Sequence, residues 1–284
     1  MRFRIPRTRR SRVQKSKKRL PPFGSHDTFC RLDQVNDALL TNHYWEQRSY
    51  IAAINLQYAI NALPVLPEEK IRVHFIYLDA NRWPLWDGLY QACVADDRLN
   101  TKVIYLDARQ SPQEETLPPD AVFLREKGIT YTSYADYDPY EECPHLLIYQ
   151  SPLDEVYQRF SRLKAGLVKK RGIRPVCFCV PEYDTPEADE CRILYQQDAH
   201  MFAWRIVAPR REIREEFYRH CLSGGDAVLV VEGMDGEGIR DGLLAALYEE
   251  RERLARAPER MGLAEKASSF YCGVGFHQNH GGDA

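Results

Sequence analysis

The sequence predicts an α/β protein: a single Rossmann-like, doubly wound, mainly parallel sheet, preceded by a helical segment and a basic arm. Three observations carry this. Residues Ile71 to Asp107 read as one complete βαβ unit. Apolar runs of strand length alternate with helical segments as far as Val231. Several of those runs, such as Leu146 to Tyr149 and Pro175 to Val180, are almost continuously apolar, as strands covered on both faces must be.

Taken in order, Met1 to Gly24 reads as a disordered basic arm ending in Pro21-Pro22-Phe23-Gly24. Residues 25–66 form a helical segment. Within it Asp33 to Leu63 carries Val35, Leu39, Leu40, Ile51, Ile54 and Tyr58 at helical spacings, with a break allowed near Asn42-His43 and a stop at Pro64. Residues 67–235 are the α/β domain. Its first strand, Ile71 to Leu78, alternates Ile71, Val73, Phe75 and Tyr77 with Arg72, His74 and Ile76. Pro84 suits a first helical turn, and Leu85, Leu89, Ala92 and Cys93 form the stripe of a helix at Asp87 to Ala95. A crossover of this length returns the chain to a parallel neighbour, Lys102 to Leu106.

Further strands are expected at Thr130 to Thr132, Leu146 to Tyr149, Pro175 to Val180, Phe202 to Val207 and Ala227 to Val231. Helices are expected at Asp120 to Lys127, Leu153 to Leu167, Glu212 to Cys221 and Ile239 to Ala257. The last of these defines a separate C-terminal helix over 236–267, followed by a glycine-rich tail over 268–284.

At 284 residues, 44% hydrophobic and 11% aromatic, the chain can bury a substantial core. Its net charge of -2 hides an asymmetry: the first twenty residues hold ten basic groups and no acid, so the rest is distinctly acidic. No run of 18 apolar residues or signal-peptide core occurs, and the expected location is cytoplasmic, with peripheral association at the inner face of the plasma membrane as an option. Arg9, Arg10, Arg12, Lys15, Lys17, Lys18 and Arg19 are the groups that would hold an anionic membrane surface. An inert solubilising tail is the competing reading. Nucleic acid is disfavoured by the acidic body and by the lack of a recognisable module.

The eight cysteines are scattered, which does not fit a secreted disulfide framework. Cys177 and Cys179 share one face of a strand and suit burial better than zinc. No metal site and no cofactor are expected. His277, His280 and Asp283 have ligand chemistry but sit in a tail that nothing preorganises. Gly233-Met234-Asp235-Gly236-Glu237-Gly238 lacks the order of a dinucleotide fingerprint, and its acids would repel phosphate, so it reads as an exit turn.

Ligands of open α/β sheets bind outside the carboxyl ends of the strands. The polar residues after the strands, Asp79, Asn81, Arg82, Gln150, Ser151, Glu182 and Tyr183, are therefore candidate cleft residues, with Trp83 as an aromatic platform. Such a rim could hold a polyol or deprotonate a hydroxyl. Each residue also has a plainer role: Asp or Asn after a strand commonly caps the next helix, and Trp83 and Trp86 suit core packing.

The ordered set of Asp79, Arg82-Trp83, the Trp86-to-Tyr90 helix start, Asp96-Asp97-Arg98, Phe123-Leu124, Lys127-Gly128-Ile129, Leu146 to Pro152 and Pro175 to Tyr183 resembles the N-terminal half of CDP-glycerol:poly(glycerophosphate) glycerophosphotransferases, over roughly Ile71 to Gly233. The resemblance implies a GT-B-type, teichoic-acid-building transferase in which an acceptor hydroxyl attacks the β-phosphate of CDP-glycerol and releases CMP. In that family a second Rossmann-like domain holds the donor. The fifty residues after Gly233 are too few to form one. The expectation is an acceptor-side half that is inactive alone, whose partners are a donor-domain protein or second transferase subunit and a lipid-linked or polyol-phosphate acceptor. The alternative is a non-catalytic binding or scaffold protein of surface-polymer synthesis.

Overall fold

The computed structural model describes residues 26–66, 69–107, 118–152, 160–179 and 194–255. The basic arm, the stretch 153–159, Glu182 and Tyr183, and the glycine-rich tail with His277, His280 and Asp283 lie outside the described residues. Contacts divide the chain into Met1–Trp45 and Glu46–Ala284. Of the first unit the structure describes the opening of helix α1 (His26–Ile60), where Tyr44 and Trp45 meet edge to face. The helix does not break at Asn42-His43.

The second unit holds a seven-stranded sheet, β1 (Ile71–Tyr77), β2 (Leu99–Tyr105), β3 (Tyr131–Ser133), β4 (Leu146–Tyr149), β5 (Arg174–Phe178), β6 (Arg205–Ala208) and β7 (Val228–Val230). Every pairing is parallel and the order is β3-β2-β1-β4-β5-β6-β7. The connecting helices are α2 (Asp87–Val94), α3 (Pro119–Glu126), α4 (Pro139–Glu142), α5 (Ala165–Lys170), α6 (Asp198–Met201), α7 (Arg211–His220) and α8 (Gly236–Ala255). The chain runs outward from β1 to β3, then returns to the other side of β1 at β4. The sheet is therefore doubly wound, with its topological switch between β1 and β4.

The two sheet faces build two cores. Val73, Phe75 and Tyr77 pack under Leu89 and Cys93 of α2, Leu124 of α3 and Ile239, Leu243 and Leu247 of α8. Ile76, Leu147, Tyr149, Cys177 and Ile206 pack on the opposite face against Val168 of α5, Ala199 of α6, and Ile213 and Phe217 of α7. Both faces being covered explains why His74, a polar position in the strand alternation, is only 3% exposed. Cys177 and Cys179 are buried together in the second core.

Several boundaries differ from the sequence reading for identifiable reasons. The β2 strand begins at Leu99 rather than Lys102, because its pairing with β1 extends to Ile71↔Leu99 and recruits polar Asn100 and Thr101. The helix expected up to Leu167 instead runs from Ala165 to Lys170, because Lys164 is extended and separates it from the 3-10 turn Ser161–Leu163. Phe202 terminates α6 and leaves β6 to start at Arg205.

The α8 helix is not an appendage to the α/β domain. Its buried face completes the first core. Gly236 enters so close to α2 that a Cβ there would meet the Gly88 carbonyl carbon at 2.1 Å. The exit turn contains Gly233 at φ 72, a left-handed conformation that glycine adopts without strain. Asp235 then accepts a hydrogen bond from Gly238 N–H at 2.9 Å, so this acid caps α8.

Candidate site at the switch point between β1 and β4

Where β1 and β4 diverge, Gln150 joins their ends. Its side chain is buried, its Oε1 accepts from Leu78 N–H at 2.6 Å and Asp79 N–H at 3.0 Å, and its Nε2 donates to the Asp79 carbonyl at 2.8 Å. Three of the four hydrogen bonds an amide side chain can make are thus spent on one stretch of backbone. Parallel strands leave such a gap at a switch point, and an amide supplies the donor and acceptors that two backbone N–H groups and a carbonyl require there.

Asp79 is extended, at φ -147 and ψ 157, and its Oδ1 accepts from Arg82 N–H at 3.1 Å, capping the 3-10 turn Ala80–Leu85. Arg82 Nε returns to Asp79 Oδ2 at 3.7 Å. Asp120, at the start of α3, accepts from Ala80 N–H at 3.0 Å, while its carbonyl takes the Tyr77 hydroxyl at 3.2 Å. Burial and the nearby carboxylates push the Tyr77 hydroxyl well above the usual tyrosine range. Tyr77 is therefore a neutral donor that tethers α3.

The structure brings Asp79, Asn81, Arg82, Gln150 and Ser151 together at the carboxyl ends of β1 and β4, in different environments. Asn81 is exposed and Arg82 half-buried, whereas Gln150 and Ser151 are enclosed. Trp83 does not stand on the rim as a platform. It is only 2% exposed, with ring centroids 5.3 Å from Tyr90, 5.8 Å from Tyr77 and 5.9 Å from Phe123. The reason is the 3-10 turn, which folds residue 83 back over the sheet and puts its indole among the aromatics of α2 and α3. The groups able to meet a ligand are Asn81, as amide donor and acceptor, Arg82, as guanidinium donor, and the partly exposed Asp79 carboxylate, mounted on backbone that Gln150 and Asp120 hold still.

The sequence suits His200 to a structural role, whereas the burial of His74 and His145 and a cavity are not legible in it. His74 Nδ1 lies 2.8 Å from the Tyr137 hydroxyl, His145 Nδ1 accepts from Arg72 N–H at 3.0 Å, and His200 Nδ1 is 2.9 Å from the Leu194 carbonyl. Burial lowers their pKa values to about 3, about 4 and about 4, with Lys102 and Arg72 adding to the effect at His74. These are neutral structural groups. The cavity, about 510 Å³, lies at the opposite edge of the sheet, against the approach to β6 and the residues that precede β7. Among the described residues no cluster of His, Cys, Asp and Glu is placed to hold a metal. Likewise none of their helices is long and apolar enough to cross a membrane.

No family model matches the chain, and no curated protein does. Among solved structures it is similar to a lipopolysaccharide outer core galactosyltransferase (WaaB, apo form), with a TM-score of 0.37 and 12% identity over 57% of this chain and 45% of that one. The chain thus spans less than half the length of that structure.

Proposed function

We propose that this chain is the acceptor-side half of a CDP-glycerol-type glycerophosphotransferase of teichoic-acid-like polymer synthesis. The observation that carries the reading is the rim at the β1–β4 switch point, where Asn81 and Arg82 face outward from a backbone locked by Gln150. The resemblance of Ile71 to Gly233 to that family supports it independently, since its pieces fall on β1, the switch-point turn, α2, α3, β4 and β5. Arg82 would hold a phosphate of the polyol-phosphate acceptor, and Asn81 would hydrogen-bond a neighbouring hydroxyl. The donor would sit on a second polypeptide, and the basic arm would keep the pair at an anionic leaflet.

In this reading chemistry waits for domain closure. A rim that positions one reactant lacks the orientational advantage of holding both. The isolated protein, incubated with CDP-glycerol and a lipid-linked acceptor, should therefore release no CMP above background. CMP formation proportional to enzyme concentration, and lost in both Asp79→Ala and Arg82→Ala, would make this rim a complete active site and overturn the half-enzyme reading.

The alternative, a non-catalytic binding protein of the same machinery, is favoured by one specific observation. Asp79 and Asp120 each commit a carboxylate oxygen to capping a backbone N–H, which removes them from the simplest general-base role. A donor-domain protein that restores CMP release when added to this chain supports the transferase. Silence in every such mixture, with acceptor binding retained, supports the binding protein.

A further inference from the structure

The cavity at the amino edge of the sheet is lined by Lys169 and Arg205, with Arg253, Asp226, Glu249 and Glu250 also on its wall. Lys169, on α5, is 91% buried by its 9% exposure. Its Nζ donates to Asn55 Oδ1 at 2.9 Å and to the Ala203 carbonyl at 3.2 Å. An ammonium has three N–H donors, so one remains without an acceptor among the described residues. Arg205, the first residue of β6, lies over the Trp204 ring with its guanidinium carbon 4.5 Å from the centroid, and donates from Nη1 to the Trp204 carbonyl at 2.7 Å. Its other N–H groups have no partner among the described residues.

The acids nearby are otherwise engaged. Glu250 Oε2 takes both Arg174 Nε and Trp204 Nε1 at 2.9 Å, Glu249 pairs with Arg253 at 3.7 Å, and Asp226 accepts from the Tyr218 hydroxyl. Buried charges in folded proteins are paired, because an isolated one forfeits its hydration without return. Burial pushes the Lys169 ammonium down to about 8, and Arg205 adds to that while Glu250 opposes it. Burial likewise lowers Arg205, with Arg253 adding to the effect while Glu250 and Glu249 oppose it.

We propose that this cavity is a binding site for a small organic oxyanion, one with a phosphate or carboxylate headgroup on a short apolar body. The guanidinium fork of Arg205 and the spare N–H of Lys169 would hold the headgroup, since both geometries suit a planar or tetrahedral oxyanion. Leu56, Ala59, Ala227 and Ala246 line the space left for the body. The volume, about 510 Å³, is that of a small-molecule site. The site lies at the opposite end of the strands from the rim of Asn81 and Arg82 and does not depend on the transferase reading.

The test is isothermal titration of the full chain, in low-chloride buffer, with phenyl phosphate, phenylacetate and benzyl alcohol. At least one of the two anions should bind saturably with 1:1 stoichiometry, and the phosphate-to-carboxylate ratio identifies the preferred headgroup. The neutral alcohol should not bind. Affinity should fall about tenfold or more in Arg205→Gln and in Lys169→Met, which is the range of one lost charged hydrogen bond. Should Lys169→Met fail to fold by circular dichroism, Arg205→Gln decides alone, because its partly buried side chain belongs to neither core cluster. Absence of saturable binding by either anion would overturn the proposal. So would wild-type affinity in Arg205→Gln, or loss of binding only in Arg82→Gln, which would place the anion at the carboxyl rim.

Discussion

Acidification is expected to unfold this protein cooperatively between about pH 5 and pH 4. His74, His145 and His200 are buried and neutral, with folded-state pKa values of about 3, about 4 and about 4. An unfolded histidine titrates near 6.5. Between those values the unfolded chain binds more protons than the native one, so stability falls as pH falls from 6.5 towards 4. Each group contributes a slope of about 1.4 kcal/mol per pH unit, and the three together about 4 kcal/mol per pH unit. Two units at that slope remove about 8 kcal/mol, more than the stability of a domain in the lower half of the usual range of roughly 5 to 15 kcal/mol. Far-UV circular dichroism against pH checks it. Replacing the fully buried His200 by Gln should shift the acid midpoint downward, and an unfolding free energy that is flat from pH 7 to 4.5 would contradict the assignment of three neutral buried histidines.

The second large effect is expected from Gly236→Ala. The new methyl would lie 2.1 Å from the Gly88 carbonyl carbon, 2.2 Å from its oxygen and 2.5 Å from Leu89 N. All three are backbone atoms of α2 and cannot swing aside. To accept the methyl, α8 must lift, and with it Ile239, Leu243 and Leu247 lose contact with the first core. The expected loss is about 3 kcal/mol or more, at the upper end of overpacking costs. The reciprocal Gly88→Ala puts its Cβ at 3.4 Å from Gly236, an ordinary contact, and should cost less than about 1 kcal/mol. Urea denaturation of both variants reads the asymmetry directly. Equal stability of the two would show that α8 is not pinned to α2 at this crossing.

What was legible in the sequence was whatever depends on local pattern. The alternation Ile71, Val73, Phe75, Tyr77 and the run Leu146 to Tyr149 announce β1 and β4, and the crossover length makes their neighbours parallel. From this the rim residues at the switch point follow by position. Their roles did not follow, because roles depend on pairs distant in sequence. Gln150 serves Leu78 and Asp79 only because β4 pairs with β1 in the observed register. Trp83 goes inward because the turn before α2 is 3-10 rather than open. The amino-edge cavity was illegible for the same reason, since Asn55, Lys169 and Arg205 belong to three elements far apart in the chain and none sits in a motif.

The central claim is that the outward-facing rim of Asn81 and Arg82 is where a polyol-phosphate acceptor binds. The most direct measurement is amide chemical-shift mapping of the full chain during titration with a short glycerol-phosphate oligomer, repeated with Arg82→Gln. The account predicts saturable perturbations centred on Ala80, Asn81, Arg82 and Ser151, weakened at least tenfold in the variant, with Asn55 and Trp204 at the opposite edge unmoved when phosphate is held constant. Perturbations absent from the rim at millimolar oligomer, or unchanged in Arg82→Gln, would contradict it.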